Sequence, residues 1–274
     1  MIVPKPAATL VLVRDEADDL AVLMLRRNLA SKWVGGVHLF PGGAVDEADA
    51  ELALAGRTTG RSEGEASRLL GVGQDGLSYF VAALRECFEE AGVLLARRED
   101  GPFDGSEPGT RGRLVAARGR LNAGEQSFSS FLAEEGLLLD VGRLFYFAHW
   151  ITPEGSPRRY DTRFFVAAAP AGQEALHDDV EVIESAWLRP GDALARHRAG
   201  EIDMLLPTAK NLEAVGRFSS TAELLAAVAS LEVKPVLPKV VEAEQGVRIL
   251  LPGDEGYTTA RAAPEGAAFP DRSS

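Results

Sequence analysis

Three glutamates, Glu86, Glu89 and Glu90, lie within the segment from Tyr79 to Leu95 at spacings that place them on one side of a helix. The opposite side is apolar and consists of Phe80, Leu84, Cys87, Phe88 and Ala91. Carboxylates this close repel one another unless a cation lies among them, and oxygen ligands favour Mg²⁺ or Mn²⁺ over zinc. A solvated acidic face is the alternative. Arg85 alone carries too little charge to neutralise the cluster, so a divalent cation site is the more interesting reading.

Both ends of this helix are marked in the sequence. Gly92 stands where a helix commonly ends in a left-handed cap, and Ser78 has a side chain suited to the N-cap. The segment between them predicts about four helical turns.

A glycine-rich turn, Phe40 to Asp46, precedes the helix and is followed by Asp49. Together these segments resemble the Nudix hydrolases. Gly43 with Asp49 resembles the first part of the Nudix box, and residues 85–93 match every fixed position of the second part. Asp49 replaces the usual glutamate and stands 36 positions before Arg85, where the uninterrupted box has eight, so about 28 residues are inserted.

An interrupted box of this kind resembles the branch of the family that contains the peroxisomal coenzyme A diphosphatase. The resemblance implies a Nudix-type α/β/α sandwich with a mixed sheet and extra helices. It also implies that Glu86, Glu89 and Glu90 bind Mg²⁺ (or Mn²⁺) and that Arg85 pairs with Asp49 to tie the loop to the helix. Gly42 and Gly43 would let the backbone approach metal and phosphate where a Cβ would intrude.

The activity implied is hydrolysis of the diphosphate bond of a nucleoside diphosphate joined to another group. Family likeness makes coenzyme A or an acyl derivative the first choice of that group, with ADP-ribose, NADH and sugar nucleotides left open. A nucleotide-binding protein that has lost turnover is a rival, but the intact glutamates argue against it. A structural acidic protein is a third alternative, which the glycine turn disfavours.

The order of strands and helices supports an α/β sandwich in one domain, 1–274. Strands are predicted at 7–14, 20–27, 143–151, 163–169 and 181–188. The insert spans 50–77, with a polar and exposed middle, and a helical addition spans 110–135. Helices at 190–199, 207–215 and 221–231 and a tail with a short hairpin complete the C-terminal part, 190–274.

Two groups of side chains are candidates for substrate phosphate. Arg26 and Arg27 end the second strand, where a phosphate contact and a solvated strand end are about equally expected. Arg158, Arg159 and Tyr160 lie on a predicted hairpin whose sequence also resembles the coenzyme A diphosphatase branch. Two arginines and a tyrosine offer bidentate phosphate contacts and a stacking face. The alternative is a hairpin fixed by an Arg–Asp pair.

Nudix enzymes often use a further carboxylate from a loop in the second half of the domain, as a metal ligand or as the base. Asp178, Asp179, Glu181 and Glu184 are eligible, and we favour Glu181. His177 could act as a base, but a lone histidine beside two aspartates is more often a surface residue. Trp33 could stack on a base, although a place over the core is the better prediction.

The net charge of −12 argues against a nucleic-acid surface and against an anionic-membrane patch. One cysteine excludes an internal disulfide and fits a reducing cytoplasm, with Cys87 as core filler. No apolar run reaches the length of a membrane span, no signal peptide is recognisable, and the C-terminal residues 271–274 are not a peroxisomal tripeptide. We therefore predict a cytoplasmic protein that binds a small nucleotide derivative and, from the frequency of symmetric dimers, a possible homodimer.

Overall fold

The computed structural model describes residues 2–17, 19–30, 35–103, 105, 108–176, 181–243 and 246–260. Its strands are β1 Lys5–Glu16, β2 Asp19–Arg27, β3 His38–Leu39, β4 Gly42–Ala44, β5 Thr58–Thr59, β6 Ala96–Arg98, β7 Gly101–Pro102, β8 Leu138–Asp140, β9 Phe145–Ile151, β10 Tyr160–Ala168, β11 Val182–Leu188, β12 Pro235–Val236, β13 Lys239–Ala243 and β14 Gly246–Leu250. Its α-helices are α1 Glu47–Leu54, α2 Glu63–Leu70, α3 Gly76–Ala91, α4 Pro108–Asn122, α5 Phe128–Glu134, α6 Pro190–Arg198, α7 Leu206–Val215 and α8 Thr221–Val228.

The main sheet is mixed and has the strand order β11-β2-β1-β10-β9-β12, with β3 on β2 and β4 on β1. The first strand pairs in parallel with β10 and antiparallel with both β2 and β4. Because β4 adds to the first half of β1, the glycine turn is fixed to the centre of the sheet, with Gly43 opposite Ala8.

Alternation along β1 and β2 divides the core between the two faces of this sheet, since successive side chains of a strand point to opposite sides. Leu10, Leu12, Leu23 and Leu25 pack with α3 and with the buried residues of α2, α4 and α5. Their neighbours, Val11, Val13, Val22 and Met24, pack with α6, α7 and α8. The predicted α/β/α sandwich is therefore confirmed, and it carries α3 on one of its two faces.

The insert is more ordered than its polar sequence predicts. Its first turns extend α1, its middle forms β5, which pairs with β8, and its last part forms α2 against α3. Thr58 and Thr59 are only half-exposed, so the prediction of an exposed middle segment is wrong at these residues. A small sheet, β5-β8-β6-β7, forms because the insert and the segment after α3 provide each other's missing strand partners.

The start of α3 also differs from the prediction. Its N-cap is Asp75, not Ser78, and the helix begins at Gly76. Glu63 of α2 accepts hydrogen bonds from the backbone N–H groups of Gly76 and Leu77, at 2.9 and 3.0 Å. Glu63, a side chain from the insert, thus accepts hydrogen bonds from the first backbone N–H groups of α3, the task that the sequence predicted for Ser78. The predicted left-handed cap at the C-terminal end of α3 is confirmed, because Gly92 has φ +70°.

Among the described residues, no helix is long and apolar enough to cross a membrane. The residues Trp33, His177, Asp178 and Asp179 and the C-terminal residues 271–274 lie outside the described part.

Candidate active site

The glutamate face of α3 is covered, so it is not the solvated acidic face that was the alternative to a cation site. Glu90 is 3% exposed, and the side chains of Glu86 and Glu89 retain 15% and 26% of their exposure. The cover is the glycine turn, which the sheet holds against this side of the helix. The Oε2 atom of Glu90 accepts a hydrogen bond of 2.9 Å from the backbone N–H of Gly42.

Glycine allows the turn to pack between the helix and the sheet. A Cβ atom built on Gly43 would lie 2.3 Å from Oε1 of Glu86, and one on Gly42 would lie 2.6 Å from the carbonyl oxygen of Ala8 in β1. Both distances are far shorter than a van der Waals contact. The missing side chain of Gly43 therefore lets the turn approach the carboxylate of Glu86, and that of Gly42 lets the turn lie against β1.

Arg85 connects α3 to the segment after the turn. Its Nε and Nη2 atoms donate to the two carboxylate oxygens of Asp49, at 2.8 and 3.0 Å, and Nη2 also donates to the carbonyl oxygen of Ala44, at 3.1 Å. Asp49 is 1% exposed, and its carboxylate also accepts a hydrogen bond from the N–H of Asp46. The structure thus shows the pair between Arg85 and Asp49 that the resemblance implied.

The remaining nitrogen of Arg85 lies between two of the glutamates. Its Nη1 donates to Oε1 of Glu86 and to Oε2 of Glu89, at 2.9 Å each. Burial opposes the charge of Arg85, but its hydrogen bonds to Asp49 and the negative charges of the nearby carboxylates raise its pKa overall. One guanidinium therefore serves Asp49, Glu86 and Glu89 together, and Glu90 is held separately by Gly42.

The carboxylates of this cluster are short of positive charge. Burial raises the pKa of Glu86 to about 7, with the negative charges of Glu89 and Glu181 adding to the shift and Arg85 opposing it. Burial likewise raises the pKa of Glu89, and it raises the pKa of Glu90 well above its ordinary range, with repulsion from Glu86 as the next cause. A cation placed among these oxygens would favour their ionised forms.

The donor set fits a divalent metal ion by its chemistry, since it consists of buried carboxylate oxygens with unmet demand for positive charge. In the conformation described, no group of three or more His, Cys, Asp or Glu side chains in the described ranges is arranged to hold a metal ion. The reason lies in Arg85, which draws Glu86 and Glu89 to a shared nitrogen while Glu90 bonds to the turn.

Glu181 and Arg27 belong to the same neighbourhood, although they lie 95 and 59 residues from Glu86 in sequence. Nη2 of Arg27 lies 3.2 Å from Oε1 of Glu181, and the backbone carbonyl of Glu181 accepts from the N–H of Asn28. The charge of Glu181 raises the pKa of both Glu86 and Glu90, whereas Arg27 lowers that of Glu90.

The other described candidate for a further carboxylate, Glu184, faces away from this group. It pairs with Arg26 at 3.6 Å. Burial lowers the pKa of His38, and the negative charge of Glu184 opposes that shift. Arg26 and Arg27 alternate along β2, so the two arginines point to opposite faces and only Arg27 joins the carboxylates.

The structure gives Arg159 a structural place, contrary to the predicted contact with phosphate. It is 7% exposed, and its Nε and Nη1 donate to the carbonyl oxygens of Thr152 and Ile2, at 3.1 and 2.8 Å. These hydrogen bonds fix the connection between β9 and β10 to the backbone near the N-terminus. Arg158 is exposed and Tyr160 is half-buried opposite Lys5 of β1, so their role in substrate binding stays a prediction.

Two contributors escaped the sequence reading. Arg118 of α4 is 9% exposed and donates to the carbonyl oxygens of Glu89, Glu90 and Leu176, at 2.8, 2.6 and 2.7 Å. The second is Glu63, which caps α3 from the insert. Both act on backbone atoms of elements distant in sequence, and neither position carries a local signal that could have revealed it.

This fold is found in a solved protein, a Nudix hydrolase from Alicyclobacillus acidocaldarius. Its crystal structure superimposes with a TM-score of 0.71 and is 30% identical in sequence, over 86% of this chain and 100% of that one. An α/β sandwich with a carboxylate-bearing helix against a glycine turn therefore defines a protein of the Nudix hydrolase class.

Sequence comparison places the chain more narrowly. The model of the NUDT19 Nudix domain matches residues 61–215, so the chain belongs to this family of Nudix hydrolases and is a diphosphohydrolase. It is 27% identical to the human acyl-coenzyme A diphosphatase NUDT19, over 88% of this chain and 73% of the human protein. Identity to the protein of the same name from Gallus gallus is 29%, over 87% and 73% of the two chains.

Proposed function

We propose that this enzyme hydrolyses the diphosphate bond of coenzyme A or of acyl-coenzyme A, with Mg²⁺ or Mn²⁺ held by Glu86, Glu89 and Glu90. The human and Gallus gallus relatives are both acyl-coenzyme A diphosphatases, which supports the substrate class. The main observation in support of the proposed mechanism is the hydrogen bond between Gly42 and Glu90. This bond holds the glycine turn, whose backbone can approach a phosphate group, against the carboxylates.

Nudix hydrolases use divalent metal ions. When bound to the glutamates of α3, such ions would neutralise the non-bridging oxygens of the diphosphate and lower the pKa of the attacking water. The choice of Mg²⁺ or Mn²⁺ follows from the all-oxygen donor set.

The side chains around the glutamates have separate tasks in this proposal. Arg85 holds Asp49 and so fixes the segment after the glycine turn relative to α3. Arg27, whose side chain is 20% exposed, can move from Glu181 to a substrate phosphate oxygen, which would accept two hydrogen bonds from the guanidinium.

Glu181 is the carboxylate that we assign to the water. Its side chain is 52% exposed and lies close enough to Glu86 and Glu90 to shift their pKa values. A half-exposed carboxylate can accept a proton from a water beside the diphosphate and release it to solvent.

A substrate panel tests this function. Coenzyme A, octanoyl-coenzyme A, ADP-ribose and NADH are incubated with the enzyme, with and without Mg²⁺, and the cleaved products are quantified. We expect Mg²⁺-dependent cleavage with the highest kcat/KM for a coenzyme A compound. Faster cleavage of ADP-ribose or NADH would contradict the substrate class while leaving the diphosphohydrolase in place.

The role of Glu181 has a matched control in Glu184, which lies on the same segment but pairs with Arg26. Glu181→Gln should lower kcat by about a hundredfold. Glu184→Gln should leave kcat within twofold. Equal effects of the two substitutions would refute the assignment.

The single-domain organisation, the possible homodimer, the cytoplasmic location and the absence of a nucleic-acid partner stay predictions from the sequence. Light scattering of the purified protein is the direct measurement for the dimer.

A further inference from the structure

A cavity of about 240 Å³ lies beside the C-terminal end of α3. One wall is α4, through Leu114, Val115 and Gly119, and the facing wall is the segment that contains Gln173 and Leu176. Its volume corresponds to roughly eight water molecules, which is smaller than a typical site for a whole ligand and sufficient for part of one.

The walls of this cavity present both apolar and charged side chains to solvent. Val115 is 55% exposed and Leu176 is 41% exposed, and both are large apolar side chains. Arg111 and Glu174 of the lining pair with each other at 2.6 Å, and its other polar side chains are engaged with backbone. The amide of Gln173 exchanges hydrogen bonds of 2.9 and 3.0 Å with Leu94, and Arg118 donates to three carbonyl groups. The cavity therefore suits an apolar group.

The cavity and the carboxylates share the last turn of α3. Asn122 and Arg118, which line the cavity, both donate to the carbonyl oxygen of Glu89, at 3.3 and 2.8 Å. Gly92, which also lines it, is three residues beyond Glu89, a rise of about 5 Å along the helix axis. A molecule bound at the glutamates can thus reach the cavity with a flexible arm.

The second wall leads back to the same site. The N–H of Leu176 donates to the carbonyl oxygen of Ala91 at 2.9 Å, which fastens this segment to α3. Five residues later the chain reaches Glu181, whose charge acts on Glu86 and Glu90. The second wall is therefore bonded to the helix that carries the glutamates, and it precedes Glu181 closely in the sequence.

We propose that this cavity binds the acyl chain at the thioester end of the substrate, while the diphosphate lies at the glutamates of α3. This inference rests on the proposed function and adds to it a site for acyl preference. The pantetheine arm of acyl-coenzyme A is the flexible link between the thioester and the diphosphate.

Glycines on α4 provide a pair of matched variants. A Cβ atom built on Gly119 or on Gly112 meets no atom within 4 Å, and both positions are exposed in the same helix. Gly119 lines the cavity and Gly112 does not. Leucine is a better helix former than glycine, so Gly119→Leu and Gly112→Leu should both fold.

The measurement is the ratio of kcat/KM for octanoyl-coenzyme A to that for coenzyme A. Gly119→Leu should lower this ratio about tenfold, as expected if roughly two CH₂ groups of the chain lose their burial. Gly112→Leu should leave it within twofold of the wild-type value. Val115→Asp, which places a charge on the apolar wall, should also lower the ratio.

The possible failures are distinguishable. If wild-type enzyme cleaves neither coenzyme A compound, the proposed function is wrong and the cavity assignment fails with it. If wild-type enzyme cleaves both but shows no acyl preference, or if Gly119→Leu lowers both rates equally, only the cavity assignment is overturned. An equal change of the ratio in Gly119→Leu and Gly112→Leu would overturn it as well.

Discussion

Glu90 carries a carboxylate at a position where ionisation is costly. It is 3% exposed, and burial together with repulsion from Glu86 raises its pKa. Buried charges are kept in proteins when they are paired or when they coordinate a cation. This residue therefore illustrates a function that is served at the expense of stability.

We predict that Glu90→Gln separates the two effects. Because glutamine keeps an oxygen for the N–H of Gly42 but removes the charge, Tm without metal should stay unchanged or rise by roughly 2–4 °C. The loss of a metal ligand should lower kcat/KM at least about a hundredfold. Calorimetry in EDTA and the coenzyme A assay check these outcomes, with exposed Glu51→Gln as the control. A fall in Tm with retained activity would contradict this role.

Glu86 makes stability depend on pH. Its pKa of about 7 in the folded state is above the ordinary value of 4.5, so the folded state binds the proton more tightly than the unfolded state. The stability that this proton confers is present below about pH 4.5 and is lost as pH rises to 7. A metal ion competes with the same proton.

From this sign we predict that half-saturation by Mg²⁺ requires more metal at pH 6 than at pH 8, by up to about tenfold for one competing proton. In EDTA, Glu86→Gln should gain Tm relative to wild type as pH rises from 5.5 to 8. Isothermal titration and thermal scans at the two pH values provide the measurements. A constant difference in Tm between the two proteins across this range would show that Glu86 does not titrate there.

At the scale of elements, the insert is a support for α3. Its helix α2 packs against α3 closely enough that a Cβ on Gly76 would lie 2.3 Å from the backbone nitrogen of Ser67. Glu63 caps the first turn of α3. Burial opposes the charge of Glu63, but hydrogen bonds from Ser67, Leu77 and Gly76 lower its pKa overall.

We predict that Glu63→Gln destabilises the fold by about 1–2 kcal/mol, the usual range for loss of a cap. Because the pKa of Glu63 is lowered in the folded state, its contribution to stability is present above its ordinary pKa of 4.5. This contribution is lost as pH falls below that value. The wild-type advantage in urea unfolding should therefore be larger at pH 7 than at pH 4. Glu51→Gln, at an exposed position of α1, should show no such difference in stability.

Helix α4 positions the other end of α3. Arg118 donates to the carbonyl oxygens of Glu89 and Glu90, which are free at a helix C-terminus, and places a positive charge at the negative end of the helix dipole. The same guanidinium holds Leu176, in the segment that leads to Glu181.

Arg118→Lys should therefore lower kcat about tenfold and raise the Mg²⁺ concentration for half-maximal rate. The single ammonium group of lysine cannot reach the three carbonyl groups that the planar guanidinium contacts. Arg120→Lys is the matched control, because Arg120 is exposed on the same helix and bonds to Gln126. If both variants retain the wild-type metal dependence, Arg118 has a purely structural role.

At the scale of the molecule, the sheet separates a functional side from a supporting side. Phe88, adjacent to Glu89, stacks on Phe131 with ring centroids 5.1 Å apart in the cluster that contains α3. Leu212 of α7 belongs to the cluster on the other face. Both side chains are fully buried.

We predict that Leu212→Ala lowers the free energy of unfolding by about 2–5 kcal/mol and leaves kcat at 20 °C within twofold. Phe88→Leu also creates a cavity, but beside the glutamates, so it should lower both stability and kcat. Urea unfolding and kinetics on the same preparations check the contrast. A comparable loss of kcat in both variants would show that the two faces are coupled.

The sequence by itself determined the helix of α3, the pairing of Arg85 with Asp49 and the sandwich, the last two through the family resemblance. Side-chain periodicity within one short segment suffices for the helix. The Arg85–Asp49 pair and the sandwich join segments that are distant in sequence, and the family resemblance supplied that long-range information. Tertiary structure alone decided that the glutamate face is buried, that Arg159 holds backbone, and that Glu63 and Arg118 cap α3 from the insert and from α4. Each of these outcomes depends on which distant segment supplies the neighbouring atoms, and burial, hydrogen-bond partners and pKa are set by those neighbours.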